Sequence, residues 1–143
     1  MGLWNFIKDA GKAIGIGGSD AAEPAVQIQK EVADLGLDTT GMDISVDGDT
    51  VKITGDAVSQ EMKEKVILAA GNVEGIAAVD EAVTAPDAAD PVFHTVEKGD
   101  TLWAISAKHL GNGAHYEKIF EANKPMLSHP DKIYPGQVLR IPT

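Results

Sequence analysis

A short run rich in alanine, proline and aspartate, Thr84-Ala85-Pro86-Asp87-Ala88-Ala89-Asp90-Pro91, constrains this chain more than any other feature. It carries no apolar periodicity and reads as a linker. It divides 143 residues into two blocks, each small for a self-sufficient core. Domains of roughly 50–65 residues bury only about 60% of their unfolded surface and are marginal alone. Docking between the blocks, or a bound ligand, therefore matters to stability. The linker is short, so the two units stay close.

The blocks differ in charge. Residues 1–90 hold 6 Lys against 17 Asp and Glu, a balance of −11, whereas residues 91–143 hold 6 Lys and Arg against 5 acids, a balance of +1. An acidic first block repels nucleic acid and anionic membranes and concentrates cations. Cysteine is absent, which excludes disulfides, thiolate zinc sites and a cysteine nucleophile, and fits a reducing compartment. The start, Met1 to Ala10, has no basic segment followed by an apolar core, and Asp9 and Lys12 interrupt it early. Phe6 stands where N-myristoylation needs Ser or Thr. No run approaches the roughly 18 apolar residues of a membrane span. The expectation is a cytoplasmic monomer with no nucleic-acid partner and no stable membrane insertion.

Periodicity places the elements. Leu3, Ile7, Ala10 and Ile14 fall on one helical face, so residues 1–22 are expected to form a helical segment ended by Gly15-Ile16-Gly17-Gly18. A helix this short is marginal in water and should dock on the next unit. Residues 23–85 read helix–strand–strand–helix–strand. Val26, Ile28, Val32 and Leu35 have helical spacing, and Asp47-Gly48-Asp49 joins two β-branched runs as a hairpin. Ser59 is the expected cap of the second helix, whose Met62, Val66, Ala69 and Ala70 face a core. Glu61 and Glu64 suit the first turns of that helix, and Gly71-Asn72 ends it. After the linker at 86–91, residues 92–143 read strand–helix–helix–strand. Asp100 is placed to cap the first of these helices, and Pro135-Gly136 supplies the central positions of a type II turn. The whole is an α+β protein, an αββαβ unit followed by a βααβ unit.

Catalytic signatures are missing: there is no nucleophile elbow, phosphate loop, HExxH or GxGxxG, so no enzyme is expected. His94, His109, His115 and His129 have no metal-ligand spacing and read as scattered surface histidines. Asp43, Asp47 and Asp49 lack the spacing of a calcium loop. Trp103 and Tyr134 could stack on sugar rings, although Trp103, beside Leu102 and Ile105, is expected to be half-buried core.

Three runs carry a family resemblance in the last block: Val96-Glu97-Lys98-Gly99-Asp100-Thr101-Leu102-Trp103-Ala104-Ile105, Asn123-Lys124-Pro125, and Tyr134-Pro135-Gly136-Gln137-Val138-Leu139-Arg140-Ile141-Pro142. They resemble a LysM domain, a module that commonly holds N-acetylglucosamine polymers. The chain departs from that pattern at His94, where Tyr is common, and between His109 and His115. In the first block, Val51-Lys52-Ile53-Thr54-Gly55 and Asn72-Val73-Glu74-Gly75-Ile76 resemble a BON domain. Together the 143 residues resemble a family of small bacterial BON–LysM proteins that bind K⁺ in the cytoplasm and change conformation as they do so.

That resemblance implies a K⁺ site made of main-chain carbonyls from Ile7, Lys8 and Ala10, together with Gly71, Val73 and Ile76. The chemistry is coherent. A ring of neutral carbonyls can replace the water shell of a large monovalent ion, with selectivity set by carbonyl number and field strength. A helix C-terminus offers unpaired carbonyls and the negative end of a dipole. Gly71 and Gly75 are expected to let that backbone turn outward. The other reading is a peptidoglycan-binding envelope adaptor with a glycan or protein partner at the LysM domain.

Overall fold

A computed structural model describes residues 2–7, 11, 24–89 and 91–142. Its elements are β1 (Gly2–Asn5), α1 (Pro24–Asp34), β2 (Met42–Asp47), β3 (Thr50–Asp56), α2 (Gln60–Gly71), β4 (Ala78–Thr84), β5 (Phe93–Thr95), α3 (Leu102–Leu110), a 3₁₀ turn (Gly113–His115), α4 (Tyr116–Ala122) and β6 (Val138–Arg140). β1 to β4 form one sheet in the order β1-β4-β3-β2, and β5 pairs with β6 in a second.

The first unit builds outward from its hairpin. β2 and β3 pair antiparallel with Asp47 opposite Thr50, leaving Gly48-Asp49 as a two-residue loop. β3 and β4 run parallel, which requires a crossover, and α2 supplies it. Ser59 caps α2, its side chain accepting the Met62 N–H at 3.0 Å. Ile28 and Val32 of α1, Val51 and Ile53 of β3, Val66 to Ala70 of α2 and Val79 of β4 then close a buried layer between helices and sheet. Val26 turns away from it and is exposed.

The N-terminal segment corrects the sequence reading. Over Gly2–Asn5 it is a strand, pairing antiparallel with β4 from Gly2 opposite Glu81 to Asn5 opposite Ala78. Leu3 and Ile7, expected on a buried helical face, are 62% and 52% exposed. The inward positions are Trp4, packed on the core, and the buried Phe6. The free edge of β4 offers backbone partners, and period-two burial of two aromatic rings outweighs a short helix that is unstable alone. Ala10, Ile14 and Gly15 to Gly18 lie outside the described residues.

The second unit has a smaller core of Val96, Leu102, Ile105, Ile119, Leu127, Leu139 and Ile141. Thr101, and not Asp100, caps α3, its hydroxyl accepting the Ala104 N–H at 3.1 Å. The type II turn is present: Gln137 N–H donates to Tyr134 O at 3.1 Å, and Gly136 has φ of +91°, which side chains rarely tolerate.

Candidate ion site and the seam between the units

The turn from α2 into β4 is where the chain's expected site residues meet. α2 ends at Gly71, and the Asn72 N–H closes the helix on Leu68 O at 2.9 Å. The Ile76 N–H donates to Val73 O at 3.0 Å, tightening the turn. Gly71, Val73 and Ile76 thus lie within one loop, and all three residues are buried. Gly75 makes the reversal with φ of +100°. Gly71 serves differently from expectation. It does not have a positive φ; instead a Cβ built there would stand 2.1 Å from the Phe6 ring. It is glycine so that an aromatic ring can seat on the helix end.

Phe6 and Gly11 bring the N-terminal segment onto this turn. The Phe6 N–H donates to Ala77 O at 2.9 Å, and its ring covers Gly71. A Cβ on Gly11 would fall 2.4 Å from the carbonyl carbon of Val73 and 2.6 Å from the Glu74 nitrogen, so two backbones pass in near contact there. Ile7 follows Phe6 directly. Lys8 and Ala10 lie outside the described residues. Sequence reasoning missed Phe6 and Gly11, although alternation from Trp4 to Phe6 was a usable signal.

Asn72 faces the other way, into the second unit. Its Nδ2 donates to Val138 O at 2.8 Å, and its Oδ1 accepts the Val138 N–H at 2.9 Å. Asn123 repeats this two residues along β6, accepting the Arg140 N–H at 2.7 Å and donating to Arg140 O at 2.9 Å. β5 pairs with one edge of β6, and two buried amides occupy the other. The seam also contains Arg140 Nε donating to Glu64 Oε1 at 3.1 Å, with both side chains largely buried. The rings of Trp4 and Phe93 meet edge to face at 4.8 Å. Glu64, read from sequence as an ordinary first-turn acid, therefore ties the two units together, while Glu61 makes an outer pair with Lys65. Beside Asn72 lies a cavity of about 330 Å³ reaching from Gly11 and Glu31 to Tyr134 and Gln137. Burial there pushes the Tyr134 hydroxyl's pKa up.

Two further groups depart from the sequence reading. Trp103 is not core; it is 57% exposed, tilted against Tyr116 at 6.2 Å between ring centres, beside a groove reaching His129 and Asp131. Nor are all four histidines scattered. His94 Nδ1 lies 3.0 Å from His109 Nε2, and His94 Nε2 lies 2.9 Å from Asp100 Oδ2. Burial, and then the neighbouring His94 and Lys108, hold the His109 pKa below the usual imidazole value. The Glu97 N–H and His94 hold Asp100 below the usual carboxylate range. Among the described residues, no group of three or more His, Asp or Glu converges as a metal site, and no helix is long and apolar enough to cross a membrane.

Comparison with known proteins decides the family. The BON domain model matches residues 20–86, and the LysM domain model matches residues 94–142. The chain is 50% identical to the potassium binding protein Kbp of Escherichia coli O6:H1 in an alignment of 147 positions, covering 99% of each protein. The chain belongs to the Kbp family. Partial relatives of this Kbp-family protein include YqbP of Bacillus subtilis, 36% identical over 66 residues, or 40% of this chain and 30% of that one. The SpoIVD-associated factor A of the same organism is 39% identical over 51 residues, 36% of this chain and 12% of that one. The Kbp match runs over both units and the seam between them.

Proposed function

We propose that this chain binds K⁺ through main-chain carbonyls of Ile7, Lys8, Ala10, Gly71, Val73 and Ile76, as a non-enzymatic cytoplasmic ion sensor or buffer that orders on binding. The observation that carries this reading is the N-terminal segment laid across the α2–β4 turn, with Phe6 on Gly71 and Gly11 against the Val73 backbone. The residues fit such an ion. Gly11 lets the N-terminal backbone pass in near contact with the Val73–Glu74 backbone, where any Cβ would clash. The donors are neutral carbonyls at a helix C-terminus, where the dipole is negative, and not carboxylates, which would favour divalent ions. Val73 O accepts one N–H from Ile76 and keeps a second lone pair. The name of the Kbp relative agrees with this ligand.

An ion held between the segment and the turn would fasten the edge strand to the sheet. At 100 times Kd, a ligand specific to the folded form adds about 2.7 kcal/mol. The test is calorimetric titration with KCl and with NaCl at constant ionic strength. Saturable heat with K⁺ and none with Na⁺ is expected, lost in Gly11→Ala. Equal responses to both ions would sink the reading.

The exposed Trp103 favours a second activity at the LysM unit. With Tyr116 it offers an aromatic platform beside the groove at Thr101, Pro130 and Asp131, suited to the face of a sugar ring. Co-sedimentation with insoluble peptidoglycan, abolished by Trp103→Ala, is the expected result; retention of that variant with the pellet would discard the platform.

A further inference from the structure

We propose that His94 and His109 form a two-imidazole site for a late first-row divalent ion, Cu²⁺, Ni²⁺ or Zn²⁺, oriented by Asp100. The site lies between β5 and α3, within the LysM unit and apart from the α2–β4 turn. Asp100 is itself fixed, its Oδ2 accepting the Glu97 N–H at 2.9 Å. The same oxygen lies 2.9 Å from His94 Nε2. An ionised carboxylate can only accept, so His94 Nε2 carries a proton, and in the neutral imidazole Nδ1 then presents a lone pair. That lone pair faces His109 Nε2 across 3.0 Å.

In the metal-free protein one proton, on His109 Nε2, fills this gap. Without that proton, two imidazole lone pairs share it. Nitrogens about 2.0–2.1 Å from a common ion and 3.0 Å from each other subtend about 94°. Adjacent positions of a tetragonal Cu²⁺ or Ni²⁺ site lie at about 90°. A tetrahedral Zn²⁺ needs the nitrogens about 3.3 Å apart, a small separation of two partly exposed rings. Asp100 behind His94 reproduces the carboxylate–histidine–metal arrangement, which sets the tautomer and raises ligand basicity. His109 is partly exposed, leaving room for water at the remaining positions. Imidazole is a preferred donor for all three ions.

The site bridges residues 15 positions apart, so an ion would staple the first strand of the LysM unit to its first helix. Binding is read by paramagnetic resonance of chelator-treated full-length protein with one equivalent of Cu²⁺. Coupling to two imidazole nitrogens is expected. His109→Gln should weaken binding at least tenfold, and Asp100→Asn by about 10–100-fold, the usual effect of losing such a partner. Zn²⁺ titration of the wild-type protein followed by histidine ring resonances provides a second reading that needs no variant. His94 and His109 should shift together, ahead of His115 and His129. Unchanged Cu²⁺ affinity in folded His109→Gln, or first shifts at His115 or His129, would overturn the proposal.

Discussion

The BON unit and the LysM unit of this chain are held together by different forces. In the BON unit a four-stranded sheet meets two helices across a layer of aliphatic side chains. The LysM unit has two strands of three residues each and a much smaller core. Its last strand is held on the second edge by side-chain amides, one from its own α4 end and one from the BON unit. Val138 of β6 packs into the BON core, and Met126 touches both cores. A unit too small to finish its own core completes itself with directed hydrogen bonds and a neighbour's surface.

The largest expected effect comes from the apolar side of this comparison. Phe6→Ala removes the ring that covers Gly71 and should cost about 3–5 kcal/mol in denaturant unfolding, with the N-terminal segment released from β4. Asn123→Ala comes next. It strips partners from both the N–H and C=O of Arg140, at about 1–3 kcal/mol for each buried group left unpaired, and hydrogen exchange should open within the LysM unit. Asn72→Ala exposes the same pair of groups on Val138, but water can reach a separating seam. Its cost should be about 1–2 kcal/mol and should appear as looser packing of the two units in small-angle scattering, with each unit still folded. If Asn72→Ala unfolds the LysM unit as thoroughly as Asn123→Ala, the seam is part of that unit's core and the comparison fails.

A pH effect is expected to be smaller. His109 has a lowered pKa in the folded chain, so between that value and the unfolded value near 6.5 the unfolded state binds more protons. Its contribution to stability is therefore complete above about pH 6.5 and declines as the pH falls through the window below. Unfolding midpoints at descending pH in a chelating buffer should drop less in His109→Gln. The smallest effect belongs to Trp103→Ala. An exposed ring outside both cores should change stability by no more than about 0.5 kcal/mol, and a larger loss would move Trp103 back into the core.

Much of the fold was legible from short stretches. The Asp47-Gly48-Asp49 hairpin, the Ser59 cap, the end of α2 at Gly71-Asn72 and the Pro135-Gly136 turn depend on residues within four positions of each other. The order of elements within residues 23–85 and 92–143 was legible as well, whereas the strand β1 was not. The candidate site was legible only through family resemblance, because main-chain carbonyls leave no mark in side-chain chemistry. Gly71 was singled out for the wrong physical reason: its space matters, and its φ does not. The cap of α3 was misplaced by one residue because Asp100 and Thr101 are both good caps. Asp100 is drawn instead to His94 and the Glu97 N–H.

By itself the sequence determined where the chain bends, caps and alternates, since a glycine φ, a proline ring or a β-branched run acts on its immediate neighbours. Tertiary structure decided what the edges do. The N-terminal residues became a strand because β4 had an unpaired edge and two aromatic rings could be buried beside it. Asn72 became a clamp because a strand 66 residues away lacked partners on one side. Trp103 went outward, and His94 met His109, through the packing of a helix on a short strand. Each outcome depends on a distant group with unmet hydrogen bonds or uncovered apolar surface, and that need exists only once the chain has folded.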